Sequence, residues 1–236
     1  MVLLRPPFAQ VPLAVVLAAR VVEAVADLVA DDRADRAVVD RGVSLRIEER
    51  RLQNPGGEDD AVNYGAIGSV IGHEISHGFD DQGRKSDGDG NLRDWWTADD
   101  AKRFDERAAK LGAQFESYDP MPGMKINGKQ TMGENIGDLS GIAVAFRAYQ
   151  MSLKSKKSPV IGGFTGEQRF FLGYAQVWRF KQREEGLRNQ LLTDVHSPGT
   201  FRAFVPLTNI DAFYTAFELK PGDKLYRPPS ERVKIW

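Results

Sequence analysis

Two of the three histidines in this chain stand four residues apart in the sequence GSVIGHEISHGFDDQG, residues 68–83. Residues with this spacing share one face of a helix, so His73 and His77 can direct imidazole nitrogens at a single metal ion. Glu74 lies one position round the helix, where it can reach a water held by that ion and act as general base. The motif predicts a hydrolytic zinc site; the alternative is a pair of core histidines beside a solvated glutamate.

The remaining ligand of such a site is not found at the spacings of three common metallopeptidase groups. A metzincin would carry its third histidine at position 83, which is Gly83. The aminopeptidase and thermolysin spacings would place a glutamate at positions occupied by Trp96 and Thr97. The third ligand must therefore come from elsewhere in the chain.

Glu134 and Asp138, in the sequence GENIGD, form the next pair of suitable residues. They lie four apart on one face of a predicted apolar helix, where carboxylates are costly unless they are paired or bind a metal. Glu134 can supply the third ligand, and Asp138 can accept the free ring N–H of a ligand histidine and so fix its tautomer. The alternative is that both are ordinary surface residues.

The composition limits the classes of protein and of site. The chain has 236 residues, of which 42% are hydrophobic and 28% charged, as in ordinary soluble globular proteins. Its 32 basic and 33 acidic residues leave a net charge of −1 without a dense basic cluster, so no nucleic-acid partner is expected. Because the chain has no cysteine, any metal must be held by His, Asp or Glu.

The first 55 residues are predicted to form an atypical N-terminal segment. Charged residues interrupt its apolar stretch before a bilayer-spanning length, so no clear membrane segment is expected. A signal peptide is the less favoured alternative, since prolines interrupt the segment and no clean cleavage site follows. The helical spacing of its apolar residues from Leu17 to Val29 predicts an amphipathic helix, and residues 43–47 alternate like a short strand. The turn sequence NPGGEDD, residues 54–60, marks the boundary with a second domain at 56–236.

The sequence from Ala61 onward predicts a mainly helical domain. Apolar residues at helical spacing indicate helices over 61–79, 97–118, 133–153 and 165–182. Thr97 and Thr165 are predicted to cap two of them. The sequence predicts a loop over 80–96 and a hairpin or loop over 120–132.

Five motifs follow one another in a characteristic order: DDAVNYGAIGSVIGHEISHGFDDQG, GNLRDWW, GENIGDLSG, DVHSPGTFR and the terminal VKIW. Together they closely resemble the neprilysin and endothelin-converting-enzyme family of zinc metallopeptidases, including its bacterial members. The resemblance extends from Asp59 to Trp236. It implies a thermolysin-like zincin catalytic domain, mainly α with minor β structure, that binds one zinc ion per chain.

The same resemblance assigns roles to the residues of the zinc site. It implies that His73, His77 and Glu134 are the zinc ligands and that Glu74 polarises the attacking water and serves as base. Asp138 would be the partner of a ligand histidine. A further carboxylate, Asp80, is either a second such partner or a solvated loop residue.

Other family positions bear on substrate binding. His196, in DVHSPG, matches the histidine that stabilises the oxyanion of the tetrahedral intermediate, and Arg202 matches the arginine that binds a substrate backbone carbonyl. Val70, Val177 and Trp178 match positions lining the pocket for the residue after the scissile bond, which favours apolar side chains. From the residues alone, His196 reads as a loop histidine, Arg202 as one half of a surface salt bridge, and the three pocket residues as core.

The sequence departs from that family upstream of the motifs. Family members are much longer, with a large N-terminal cap region that restricts substrates to short peptides and an Asn-Ala-x-Tyr segment that pairs with the peptide as an added strand. Neither has a counterpart here, so the domain is expected to be truncated relative to the family. Residues 1–51 show no resemblance, and three origins stay open for them: a divergent start, a mispredicted start or an out-of-frame translation.

The predicted function is that of a zinc metalloendopeptidase acting on short peptides through a Glu-activated, zinc-bound water. Preference for an apolar residue after the scissile bond is expected. Two alternatives remain: a zinc-binding fragment with weak or no turnover, and a structural domain that depends on the N-terminal cap region. The outward-facing habit of the family makes a periplasmic or secreted location the expected one.

Overall fold

A computed structural model describes residues 59–236, and helices make up most of its regular structure. The helices are α1 (Asp60–Asn63), α2 (Ser69–Ser76), α3 (Ala98–Glu116), α4 (Met132–Ser152), α5 (Gly166–Val177), α6 (Glu184–Thr193), α7 (Gly199–Phe204) and α8 (Asp211–Phe217). A π-helical turn, Tyr64–Gly68, joins α1 to α2 without a break. Short 3-10 turns occur at Gly83–Lys85, Leu207–Asn209 and Pro229–Glu231.

Local sequence explains where two of the longer helices begin. The Thr97 hydroxyl accepts a hydrogen bond from the backbone N–H of Asp100, and acidic residues occupy the first turn of α3, where the helix dipole favours them. Thr165 and Gln168 form a reciprocal capping box at the start of α5. Both caps agree with the sequence predictions.

Helix α4 is the central element of the fold. Residues 135–142 along it are all buried, and they include the polar side chains of Asn135, Asp138 and Ser140. One core cluster joins α4 to α1, α2, α5 and α8, and a second joins it to α3 and to the C-terminal segment around Val233 and Ile235. The N-terminal half of α4, which carries Glu134 and Asp138, contributes Ile136 and Leu139 to the second cluster, whereas the first cluster takes its α4 residues from the C-terminal half.

Helices α2 and α4 approach each other at glycine. A Cβ atom on Gly141 would overlap the carbonyl oxygen of Ser69 and would lie 2.7 Å from the backbone nitrogen of His73. A Cβ on Gly137 would lie 2.7 Å from the ring nitrogen Nδ1 of His73. The two glycines thus let the histidine-bearing helix and its ring lie directly against α4.

The mainly helical prediction is confirmed, and its details are corrected at four places. The helix predicted over 165–182 ends at Val177, because the chain tightens there and the Trp178 N–H bonds Ala175 and Gln176 carbonyls. The sequence reading also assigned no helix to the stretches that form α6, α7 and α8.

The β structure found among residues 59–236 amounts to three isolated bridges. One of them, Met121 to Met124, closes a turn in the stretch predicted as hairpin or loop. The helix and strand predicted before residue 55 lie outside the described residues.

A paired substitution tests the close packing of α2 on α4. Gly141→Ala should lower the free energy of unfolding by about 3 kcal/mol, because the added methyl meets backbone atoms that cannot move aside independently. Gly88→Ala is the matched control, since nothing lies within 4 Å of its Cβ position; it should change stability by less than about 0.5 kcal/mol. Chemical denaturation followed by circular dichroism measures both values, and equal stability of the two variants would contradict the packing argument.

Candidate metal centre

Three segments bring the predicted site residues together. Helix α2 carries His73 in its last turn and ends at His77, while α4 carries Glu134 in its first turn and Asp138 one turn later. The loop between α6 and α7 supplies His196. The residues converge although more than 50 positions separate α2 from α4 in the sequence.

The Glu134 carboxylate is the meeting point of the two motif histidines. His73 Nε2 lies 3.1 Å from Glu134 Oε2, and His77 Nε2 lies 3.5 Å from Glu134 Oε1. One donor atom from each of the three residues lies within 4.8 Å of the others, so together they could hold a metal ion.

Each motif histidine is oriented by a carboxylate on its other nitrogen. His73 Nδ1 lies 2.9 Å from Asp138 Oδ1, and His77 Nδ1 lies 2.8 Å from Asp80 Oδ2. Asp80, which the sequence left open as a solvated residue, is buried and also accepts the backbone N–H groups of Gln82 and Gly83. A carboxylate at Nδ1 directs Nε2 towards the metal position, an arrangement usual around metal-binding histidines.

His196, in the loop between α6 and α7, also contacts the Glu134 carboxylate. Its Nε2 lies 3.1 Å from Glu134 Oε2, and Asp194 Oδ1 accepts both the backbone N–H of His196, at 2.9 Å, and its ring Nδ1, at 2.7 Å. Sequence reasoning overlooked Asp194. The signal was present in DVHSPG, since a carboxylate two residues before a histidine can bond both its backbone and its ring.

Arg202 is buried beside Asp138. Its Nε and Nη2 lie 2.7 and 2.8 Å from the two Asp138 oxygens, and its guanidinium carbon lies 4.1 Å from the centre of the Trp178 ring. The Tyr174 hydroxyl donates to the Arg202 carbonyl at 2.8 Å. This is the bidentate, stacked geometry at which arginine and lysine are not interchangeable.

The other predicted residues lie around this centre. The Glu74 side chain is exposed, next to His73 on α2, and Val70 is half-buried one turn earlier on the same helix. Val177 and Trp178 are half-buried at the end of α5. Trp178 contacts Arg202 of the centre; Val177 precedes Trp178 in the chain, and Val70 lies three residues before His73.

The electrostatics of the cluster follow from burial and close opposite charges. Burial acts against a charged His73, but hydrogen bonds to Asp138 and Glu134 outweigh it and raise the pKa of His73 to about 9. Burial likewise acts to raise the pKa of Glu134, yet hydrogen bonds with His196 and His73 hold that pKa well below its usual range. The buried guanidinium of Arg202 keeps the pKa of Asp138 low despite burial.

The donor set suits a catalytic zinc ion. Two imidazoles and one carboxylate are a ligand set of hydrolytic zinc sites, which leave a fourth position open. The residues predicted as ligands from sequence are the ones the fold gathers into this cluster.

Comparison with known proteins gives the family of the chain. Residues 54–233 match Peptidase family M13. The chain belongs to this family. It is 41% identical to human neprilysin over 184 residues, which cover 76% of this chain and 24% of that protein. It is 40% identical to endothelin-converting enzyme 1 of Cavia porcellus over 180 residues, covering 75% of this chain and 23% of that protein.

A solved structure gives the same relationship in three dimensions. The zinc metalloprotease Zmp1 of Mycobacterium tuberculosis, solved in complex with an inhibitor, is 50% identical and superposes with a TM-score of 0.75, covering 78% of this chain and 29% of that one. The chain therefore spans about a quarter of the length of the curated M13 relatives it matches. Within residues 59–236 no helix is both long and apolar enough to cross a membrane.

Zinc binding to this M13 chain should strengthen with rising pH. The raised pKa of His73, about 9, means that in the metal-free protein its imidazole is protonated at neutral pH, so zinc must displace that proton. Affinity should rise at least tenfold per pH unit between pH 6.5 and 8.5, because His73 must lose a proton there and His77, whose pKa is also raised by its hydrogen bond to Asp80, adds to the dependence. Competition with a chelator of known pH dependence measures it, and a flat profile would sink the assignment of His73.

Proposed function

We propose that this chain is the zinc-binding catalytic part of an M13 metalloendopeptidase that hydrolyses short peptides. The observation that carries the proposal is the convergence of His73, His77 and Glu134, with the exposed carboxylate of Glu74 directly beside the first of them. Membership of family M13 and the likeness to a zinc metalloprotease support it.

His73, His77 and Glu134 would hold one zinc ion per chain. When bound, zinc acts as a Lewis acid towards a carbonyl oxygen and makes water acidic near neutral pH. Asp138 and Asp80 hold the Nδ1 side of the two imidazoles, so that each Nε2 is presented to the ion. The two carboxylates would thereby set the orientation and the basicity of the ligands.

Glu74 and His196 would move protons and stabilise charge. Glu74 is exposed and lies outside the hydrogen-bonded cluster, so its carboxylate can take a proton from the attacking water and pass it to the leaving amine. His196 can donate from Nε2 to the carbonyl oxygen as that oxygen gains negative charge. Asp194 accepts the Nδ1–H of His196. This bond favours the protonated imidazole, which can donate from Nε2.

Arg202 would bind the peptide backbone. Its Nε and Nη2 are engaged by Asp138, whereas its Nη1 donates no hydrogen bond among the described residues. This N–H group can bind a substrate carbonyl while Asp138 holds the guanidinium in place. The half-buried side chains of Val70, Val177 and Trp178 would then favour an apolar residue after the scissile bond.

A second candidate is a domain that binds zinc but turns substrate over weakly by itself. The observation that favours it is the coverage of about a quarter of its relatives, because positioning of the peptide by other regions contributes much of the rate. We propose that full activity depends on an additional N-terminal cap region, and that the protein works in the periplasm or outside the cell.

The zinc content of two variants distinguishes the proposed ligand Glu134 from the proposed general base Glu74. Purified protein should carry about one zinc per chain, and Glu134→Ala should lose most of it because one of three ligands is removed. Glu74→Gln should keep its zinc, since Glu74 is outside the ligand cluster. Metal analysis after dialysis against a weak chelator gives both values, and equal loss from the two variants would contradict the assigned roles.

Turnover tests the proposed chemistry. Hydrolysis of a short fluorogenic peptide with an apolar residue after the cleaved bond should be detectable, should show a high KM and should be abolished by a strong chelator. Glu74→Gln should remove the activity, and His196→Gln should lower kcat about a hundredfold with a smaller change in KM. Glu106→Gln, which alters an exposed carboxylate on α3, is the control and should leave the rate unchanged.

If folded, zinc-loaded protein cleaves a varied peptide library no faster than its Glu74→Gln variant, the chain is not a peptidase by itself. The weakly active or inactive domain then replaces the first candidate.

A further inference from the structure

Two neighbouring residues of the loop before α7 pair with two neighbouring residues of α4. His196 meets Glu134, with 3.1 Å between Nε2 and Oε2. Directly beside this pair, the Ser197 hydroxyl donates to Asn135 Oδ1 at 2.8 Å. The first pair belongs to the proposed catalytic centre, whereas the second is buried, with Ser197 1% and Asn135 0% exposed.

The buried pair continues as a chain of hydrogen bonds from α4 into the segment that precedes it. Asn135 Nδ2 donates to Thr131 Oγ1 at 2.9 Å, and the Thr131 hydroxyl donates to the Asn127 carbonyl at 3.0 Å. Because its amide group is committed to Thr131, Asn135 must present its carbonyl oxygen to Ser197. The orientation of the acceptor is thus fixed before the loop arrives, and each bond in such a chain polarises the next.

Apart from Glu134, the His196 ring has no hydrogen-bond partner on α4 among the described residues. Asp194 lies in the same loop, so its hydrogen bonds orient the ring within the loop only. The His196 side chain is 44% exposed, and little packing restrains it. Gln190 bonds the carbonyls of His196 and Ser197, but it belongs to α6, which precedes the loop. A Gln130 side chain just before α4 holds the Asp194 carbonyl at 2.9 Å.

We propose that Ser197 and Asn135 are positioning residues that hold His196 in register with Glu134. This inference rests on the proposed function of His196 and deepens it. The buried pair acts as a fixed point one residue away from the working pair, so a shift of the loop along α4 would have to break it. Neither residue touches the reacting atoms, and both act through the placement of the imidazole.

The consequence is specific to one step of the reaction. Removing the Ser197 hydroxyl leaves the ligand histidines in place, because Asp138 and Asp80 hold them, and it does not alter α2, which carries Glu74. It lets the His196 ring move away from the position where it would stabilise the oxyanion. Ser197→Ala should therefore lower kcat about tenfold, with KM changed by less than about twofold.

A ring-specific NMR measurement tests the proposal without relying on activity. The chain has three histidines, so protein labelled with ¹³C in the imidazole rings gives three ring signals, and His196→Gln identifies that of His196. In zinc-loaded Ser197→Ala the His196 signal should show a lower order parameter and a shift towards free histidine, whereas the other two signals stay unchanged. Thr208→Val, which removes another buried hydroxyl at 3% exposure, is the control and should move none of them.

A double variant distinguishes positioning from general stability. Ser197→Ala leaves the buried Asn135 oxygen without its donor, so the protein loses stability as well. Asn135→Leu in addition removes that oxygen, and thermal stability should recover while the kcat loss and the mobile His196 ring persist. Recovery of both would show a merely structural role and would overturn the proposal, as would a His196 signal in Ser197→Ala that matches the wild type.

The outcome is separable from that of the proposed function. If zinc-loaded wild-type protein does not cleave peptides but its His196 ring is ordered and Ser197→Ala releases it, the positioning role stands and the peptidase proposal fails for this chain. If peptide cleavage is normal and the ring is indifferent to Ser197, the positioning proposal alone is overturned.

Discussion

The buried carboxylate of Asp138 is the contact on which the rest of the centre depends. It receives His73 on one oxygen and a bidentate Arg202 on both, so it joins α2, α4 and α7 at a single point. Desolvating a carboxylate costs several kcal/mol unless charge and hydrogen bonds compensate. Here a stacked guanidinium and an imidazole do so, and the compensation itself fixes the ring that faces Glu134. The electrostatic requirement of a buried acid and the geometric requirement of a metal ligand are met by the same bonds.

His73 can reach Asp138 only because α2 and α4 lie so close. Gly137 and Gly141 leave no side-chain volume between the helices, and the His73 ring lies against the bare backbone of α4. Asp138 itself is buried at 3% exposure, so water has little access to its carboxylate. Close helix packing, charge pairing and ligand orientation therefore all depend on the same two turns of α4.

The sequence could predict what local spacing encodes and little beyond it. His73 and His77, or Glu134 and Asp138, reveal themselves because four positions on a helix make one face, and Thr97 reveals a cap by its own chemistry. The partnership of Asp138 with Arg202 spans 64 positions, and no periodicity reports such a pairing. His196 was recognisable only through a family resemblance. No role was assigned to Asp194 or Ser197 from the sequence; that of Ser197 could not be found from local spacing, because its partner Asn135 lies 62 positions away.

The π-helical turn at Tyr64–Gly68 determines the direction in which His73 and His77 point around the axis of α2. Upstream of it the helix packs on α5, and downstream of it the same continuous helix packs on α4. One additional residue in a turn rotates everything that follows by about 100° relative to a regular α-helix. A chain shortened by one residue there would keep its helix, its core side chains and its HExxH sequence, yet the two imidazoles would point past the carboxylate they serve. The HExxH motif would be intact in such a chain. The length of this one turn would nevertheless show that its two histidines no longer face the third ligand.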